Sequence, residues 1–91
     1  RSIYSYMRKS ENGRNNILVV LNMTPMERKD YQLGVDKKKK YKLLLNSDDV
    51  DFGGNGGTIP KEITAKAVKC DNKPYSLTFD LPAYGAALFL F

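Results

Sequence analysis

Histidine and tryptophan are absent from this 91-residue chain, and cysteine occurs once, at Cys70. A zinc site draws mainly on histidine and cysteine ligands, so the ligand count excludes one. A nucleophilic cysteine needs a neighbouring base, and a chain without histidine gives Cys70 none. Paired cysteines, which most small secreted domains carry, are also missing. We therefore expect an inert thiol and a reducing, cytoplasmic compartment.

Long apolar runs are absent as well, and the longest extends from Ile17 to Leu21. A bilayer-spanning helix needs about 20 such residues, so no membrane partner is predicted. The first residues lack the layout of a signal peptide, and the chain starts inside a strand-like pattern without methionine. We expect a single domain, residues 1–91, cut from a longer protein.

The chain is rich in short segments of β-forming residues separated by turn signals. Asn12-Gly13 favours a hairpin, and Thr24-Pro25 ends the strand that precedes it. Tyr75–Leu81 alternates apolar and polar residues, whereas Ile17–Leu21 is apolar throughout and predicts a strand buried on both faces. In the leucine-rich segment 41–45, alternation places Tyr41, Leu43 and Leu45 inward. The segments that we predict as strands are 3–9, 16–22, 30–35, 41–45, 59–68, 75–81 and 86–91.

Residues 59–68 are ambiguous, because alanine, lysine and glutamate suit a helix while Pro60 and Thr64 favour a strand. Even with that uncertainty, evenly spaced strands without a convincing helix indicate an all-β fold. The specific prediction is an antiparallel β-sandwich of about seven to eight strands with a Greek-key connection.

The formal net charge of +5 is concentrated in Lys37–Lys40. We interpret this run as a solvated hairpin tip whose lysines discourage edge-to-edge association, with an anionic partner as the alternative. A nucleic-acid-binding surface would mix lysines with aromatic residues on one face. The tyrosines lie elsewhere in the sequence, so no nucleic-acid partner is predicted.

Four of the seven glycines fall within residues 53–57, after the acidic stretch Asp48–Asp51 and Phe52. Three acids in one loop do not form the two-sided cleft of a glycosidase, and no calcium-loop ligand pattern is completed. The glycines lack the Lys-Ser/Thr and helix of a phosphate-binding loop. We predict no catalytic residue, no metal and no cofactor, and interpret the segment as a shaped connecting loop.

Several stretches, taken in order, resemble the C-terminal β-domain of 1,4-α-glucan (glycogen) branching enzymes, of the α-amylase superfamily. They are Ile17–Pro25, Asp30–Val35, Tyr41–Asp48, Phe52–Gly54 and Pro74–Pro82. The Asn-Ser-Asp…Phe-Gly-Gly pattern is the most specific part, and it favours a branching enzyme over the similar C-terminal sandwich of a related amylase. Met23 departs from the pattern, since an aromatic residue is usual there.

The resemblance implies a parent enzyme that cuts an α-1,4 glucan and transfers the piece to a 6-hydroxyl, forming an α-1,6 branch. Its retaining mechanism would use an Asp nucleophile and a Glu acid/base on a (β/α)8 barrel. That barrel needs about 250 residues of its own, so none of it is present here. The implied partner of this chain is the catalytic barrel of the same polypeptide.

The resemblance is compatible with two roles for the domain. In the first, the domain stabilises or shapes the barrel and docks through a loop. The residues assigned to that loop are Asn46, Ser47, Asp48, Phe52, Gly53 and Gly54. In the second, the domain is a glucan-binding surface on which exposed aromatic rings stack against sugars. The candidates for stacking are Tyr4, Tyr6 and Tyr75.

Overall fold

A computed structural model describes residues 3–47 and 59–91 of the chain. Within those ranges the backbone forms seven strands and no helix. The strands are β1 Ile3–Arg8, β2 Ile17–Asn22, β3 Arg28–Val35, β4 Lys40–Asn46, β5 Glu62–Thr64, β6 Tyr75–Leu81 and β7 Ala86–Leu90. Consequently, the described residues contain no helix that could cross a membrane.

The strands form two antiparallel sheets that pack face to face as a sandwich. The larger sheet has the order β1-β2-β7-β4-β5, and the smaller one pairs β3 with β6. The chain crosses to the smaller sheet at β3, returns at β4, crosses again at β6 and ends with β7 between β2 and β4. The prediction of an all-β, two-sheet antiparallel sandwich is confirmed, with seven strands in the described part of the chain.

The core lies between the inward faces of the two sheets. Phe79 of the smaller sheet and Phe89 of the larger one place their ring centroids 5.4 Å apart. Tyr41 is fully buried beside them, and its hydroxyl donates a hydrogen bond to the carbonyl of Lys37 at 2.9 Å. Burial raises the pKa of Tyr41 to about 12. The phenol therefore stays neutral at physiological pH and can be buried without a charge.

The third and the fifth strand each have an end that lies two or more residues from its prediction. The third begins at Arg28, two residues earlier than expected, and an irregularity interrupts its pairing between Arg28 and Tyr31. The ambiguous segment 59–68 forms only the three-residue strand β5. Its backbone then turns away, because the amide of Val68 bonds to the carbonyl of Lys66 at 2.8 Å. That turn leaves Ala67 exposed, although it continues the alternation of Ile63 and Ala65 in the sequence.

Candidate functional site

One side of the five-stranded sheet faces away from the core, and we call it the outer face. The strand register aligns its side chains in rows that run across the strands. The central row reads Tyr6, Val19, Leu88 and Leu45, one residue from each of β1, β2, β7 and β4. Every member is apolar or aromatic, so this row forms an uninterrupted hydrophobic band.

The flanking rows define the limits of that band. One row contains Tyr4, Leu21 and Ala86 and is also apolar. The other row has an apolar centre and charged ends, and it reads Arg8, Ile17, Leu90, Lys42 and Glu62. An apolar centre with a partly charged margin is the composition that protein interfaces show.

A β-bulge in β4 adds a further leucine to the outer face. Leu43 pairs with Phe89 and Leu45 pairs with Leu88, so Leu44 has no partner across the ladder. An extra residue shifts the side-chain alternation by one position. Leu45 therefore lies on the outer face, and the prediction that it points inward is wrong. Leu44 projects from the bulge with 51% of its surface exposed.

The side of the β3–β6 sheet that faces away from the core is polar. Gln32 and Thr78 are exposed there as a directly paired couple, and Lys29 lies 3.6 Å from the Asp80 carboxylate. That side of the sandwich suits contact with water. The contrast between the two sides indicates that the domain has one solvent side and one side that favours burial.

The predicted docking segment begins next to the outer face. Ser47 exchanges hydrogen bonds with Ala86, its amide donating at 2.9 Å and its hydroxyl accepting at 2.7 Å. Asn46 is 7% exposed and pairs with Ala87 on the inner side. The other assigned residues of that loop lie outside the described residues. They are Asp48, Phe52, Gly53 and Gly54.

The three candidate sugar-stacking tyrosines are not brought together. Tyr4 and Tyr6 share the outer face and are 54% and 51% exposed. Tyr75 belongs to the other sheet, where it is half-buried and packs against the core. The structure therefore separates Tyr75 from the other two and leaves one exposed pair.

Sequence reasoning did not single out Leu44, Leu88 or Leu21 as site residues. The available signal was the absence of alternation, because Ile17–Leu21 is apolar at every position. That pattern predicted burial on both faces, and Leu18 and Val20 do face the core. Val19 points to the opposite side and is 7% exposed. The apolar run Ile17–Leu21 therefore supplies side chains both to the core and to the outer face.

Other chemistry is limited in the described part of the chain. No group of three or more cysteine, aspartate or glutamate residues is placed there to hold a metal ion. Cys70 is half-buried, and its thiol donates to the Gln32 carbonyl at 3.5 Å. Burial raises the pKa of that thiol, so it is protonated at neutral pH. A protonated thiol is a poor nucleophile, and the inert role of Cys70 stays a prediction.

Comparison with known proteins gives the family. The model described as "Alpha amylase, C-terminal all-beta domain" matches residues 1–91. The chain belongs to this family. Among its relatives, the 1,4-alpha-glucan branching enzyme GlgB of Butyrivibrio fibrisolvens is 50% identical over the whole chain. GlgB 1 of Clostridium perfringens strain SM101 is 35% identical over 98% of it.

The amylase-type domain accounts for a small part of these relatives. The chain spans 14% of the Butyrivibrio protein and 13% of the Clostridium protein. The GlgB of Rubrobacter xylanophilus, 37% identical over 99% of the chain, is matched over 12% of its length. Most of each relative therefore lies outside the region shared with this domain.

Proposed function

We propose that this chain is the non-catalytic C-terminal domain of a 1,4-α-glucan branching enzyme, and that its outer face packs against the catalytic part of the same polypeptide. The names and lengths of the relatives support the parent activity. The hydrophobic band through Tyr6, Val19, Leu88 and Leu45 supports the docking role. A cytoplasmic location belongs to the same proposal.

The outer face is the observation that carries the docking role. Hydrophobic burial contributes about 25 cal/mol per Å2 of apolar surface removed from water. Tyr4, Tyr6 and Leu44 each leave about half of their surface available for such burial. Large contiguous apolar patches on soluble domains mark interaction sites, whereas the described outward residues Gln32 and Thr78 of the β3–β6 side are polar. Covering the outer face would therefore stabilise both the domain and its neighbour.

Bond cleavage and transfer would take place on the neighbouring part of the polypeptide. We propose a retaining mechanism there, with an Asp nucleophile and a Glu acid/base on a (β/α)8 barrel. The domain would hold that barrel in its active shape. Its own residues would take no part in the transfer step.

A glucan-binding surface is the second candidate, because Tyr4 and Tyr6 are exposed on one face of β1. Residues two apart on a strand are about 6.6 Å apart, which allows both rings to contact one glucan chain. Their cross-strand neighbours are Leu21 and Val19, whereas sugar hydroxyls require polar partners. The apolar neighbourhood favours protein packing over sugar binding.

Paired substitutions in the full-length polypeptide test the docking role. Leu88→Lys places a charge in the centre of the hydrophobic band, and Thr78→Lys adds the same side chain on the polar side. Burying an unpaired ammonium is costly, so we expect Leu88→Lys to lower the melting temperature by about 4 °C or more. Formation of α-1,6 branches from linear α-1,4 glucan should fall with it, while Thr78→Lys matches the wild type.

Each part of the proposal can fail separately. If the wild-type polypeptide forms no α-1,6 linkages, the assignment as a branching enzyme is wrong. If Leu88→Lys and Thr78→Lys melt at the same temperature, the outer face is not buried and the docking role is wrong. Calorimetric binding of maltoheptaose that disappears in Tyr6→Ser would support the glucan-binding candidate instead.

A further inference from the structure

A second apolar surface lies at one end of the sandwich, where the β2–β3 and β6–β7 connections meet. It exposes Met23, Met26 and Tyr84 to 58%, 63% and 70% of their surfaces. Met26 and Tyr84 are the most exposed large hydrophobic residues in the described part of the chain. We call these three side chains the methionine–tyrosine corner.

A buried asparagine holds the two connections of this corner together. Asn22 is fully buried, and its side-chain amide donates to the carbonyls of Met26 at 2.9 Å and Pro82 at 3.0 Å. Its side-chain oxygen accepts from both the amide and the hydroxyl of Thr24. One side chain thus ties together loops 60 residues apart in sequence, which holds the backbone of the corner in one arrangement.

The backbone of Tyr84 is strained in this arrangement. Its φ is +46°, a left-handed conformation that is unfavourable for a bulky residue. The Tyr84 amide bonds to the carbonyl of Thr24 at 2.9 Å, which anchors the turn while its ring stays exposed. A tyrosine here costs conformational energy without gaining burial within the chain. Strain of this kind is characteristic of positions with a binding role.

The corner lies beyond one end of the outer face, where β2 ends and β7 begins. Met23 follows Leu21 by two residues, and Tyr84 precedes Ala86 by two. Leu21 and Ala86 are paired neighbours in the apolar row that also contains Tyr4. A partner that covers the outer face therefore lies next to the corner as well.

We propose that the methionine–tyrosine corner binds an apolar segment of the same polypeptide that lies outside this chain, extending the docking interface to a second surface. This inference rests on the proposed docking of the outer face. Flexible methionine side chains adapt to an apolar partner, and tyrosine is enriched among the residues that dominate protein interfaces. Since the chain spans only 14% of its Butyrivibrio relative, the parent polypeptide supplies ample sequence for that segment.

Methionine oxidation in the full-length polypeptide tests the inference. Hydrogen peroxide converts accessible methionine to its sulfoxide, which peptide mass spectrometry quantifies at each position. We expect Met23 and Met26 to react at least about fivefold more slowly in the native protein than in urea, although both are well exposed on this domain. Equal rates in the two states would show an uncovered corner and overturn the inference.

The same measurement separates other occupants of the corner. Protection that disappears on dilution would identify a second copy, and protection that requires added maltoheptaose would identify a glucan. Either result overturns the inference. If Met23 and Met26 are protected while Leu88→Lys leaves the melting temperature unchanged, the outer-face docking fails and the corner contact stands.

A substitution at Tyr84 provides the matched variant. Asparagine tolerates the left-handed backbone, so Tyr84→Asn removes the ring without strain and the domain should remain folded. In the full-length polypeptide we expect this change to bring the oxidation rates of Met23 and Met26 close to the urea values, with Met7 as the internal reference. Met7 packs against the core and should keep its rate. Unchanged protection in Tyr84→Asn would show that the ring is no anchor, and the inference would be wrong.

Discussion

At the scale of single residues, Asn22 combines two roles: it is buried at the end of β2, and its side chain hydrogen-bonds to two loops. It ends β2 on the inner side of the sheet, where the preceding inward residues are apolar. Its buried side chain is fully hydrogen-bonded, and the described residues contain no buried side-chain nitrogen or oxygen without a partner. A buried polar group that forms hydrogen bonds with its neighbours supports a unique packing. Its loss leaves those neighbours without a hydrogen-bond partner.

Asn22→Ala should therefore be strongly destabilising. The change leaves the Thr24 amide and the Pro82 carbonyl without their side-chain partner, and removes one of the two side-chain donors to the Met26 carbonyl. We expect a loss of about 2–4 kcal/mol in the free energy of unfolding, measured by urea denaturation of the chain. Asn12→Ala is the control, because Asn12 is exposed and its hydrogen bonds join residues of one turn. A similar loss in both variants would contradict this account of Asn22.

The sequence indicated a strand end at Asn22 but could not indicate its partners. Thr24-Pro25 marks the break because proline restricts the residue before it. The bond from Asn22 to Pro82 depends on how two distant loops meet, which no local pattern encodes. Tyr84 is similar, since it lies between two predicted strands but its left-handed backbone was not predicted.

At the scale of elements, the bulge in β4 determines which leucines face outward. Residues 43–45 are all leucine, so within this run a shift of one position only exchanges one leucine for another. Hydrophobic patterning therefore specifies this strand weakly, and alternation assigned Leu45 to the wrong face. Tyr75–Leu81, which alternates strictly, was assigned correctly because its polar positions exclude the other register.

Deletion of one leucine from the run tests this interpretation of β4. Without the bulge residue, Leu43 still pairs with Phe89 and the next leucine still pairs with Leu88. We expect the shortened chain to fold with a loss of at most about 1 kcal/mol, since only the unpaired residue is removed. Circular dichroism and urea denaturation would measure this directly.

The matching control removes one valine from the Val19-Val20 pair of β2. That strand has no bulge, so the deletion moves either the residues before it or those after it to the opposite face. We expect a loss of several kcal/mol or no folded protein. If both deletions are tolerated equally, the bulge does not set the register of β4.

At the scale of the whole molecule, the sandwich has one polar side and one apolar side. Composition and strand spacing predicted the two sheets, and the apolar run Ile17–Leu21 predicted that β2 is buried on both faces. The residues that form the central row of the outer face could not be predicted from the sequence. Their alignment depends on the register of four strands from distant parts of the chain. Of the predicted docking segment the structure describes Asn46 and Ser47, and Ser47 hydrogen-bonds to Ala86 at the outer face; docking through this segment stays a prediction.

The outer face also explains why the domain carries exposed aromatic residues without an adjoining polar site. Tyr4 and Tyr6 extend the apolar rows on β1, the edge strand of the larger sheet. Aromatic side chains contribute large contact areas when an interface forms. In this account the two tyrosines are interface residues, and the polar β3–β6 side remains in contact with solvent.

Hydroxyl-radical footprinting of the native full-length polypeptide tests the central claim most directly. Leu44 on the outer face and Val68 at the far end of the sandwich are aliphatic and are 51% and 47% exposed on this domain. With labelling of each side chain normalised to its rate in urea, docking of the outer face predicts that Leu44 is labelled at least about fivefold less than Val68. Equal labelling of the two would contradict a buried outer face.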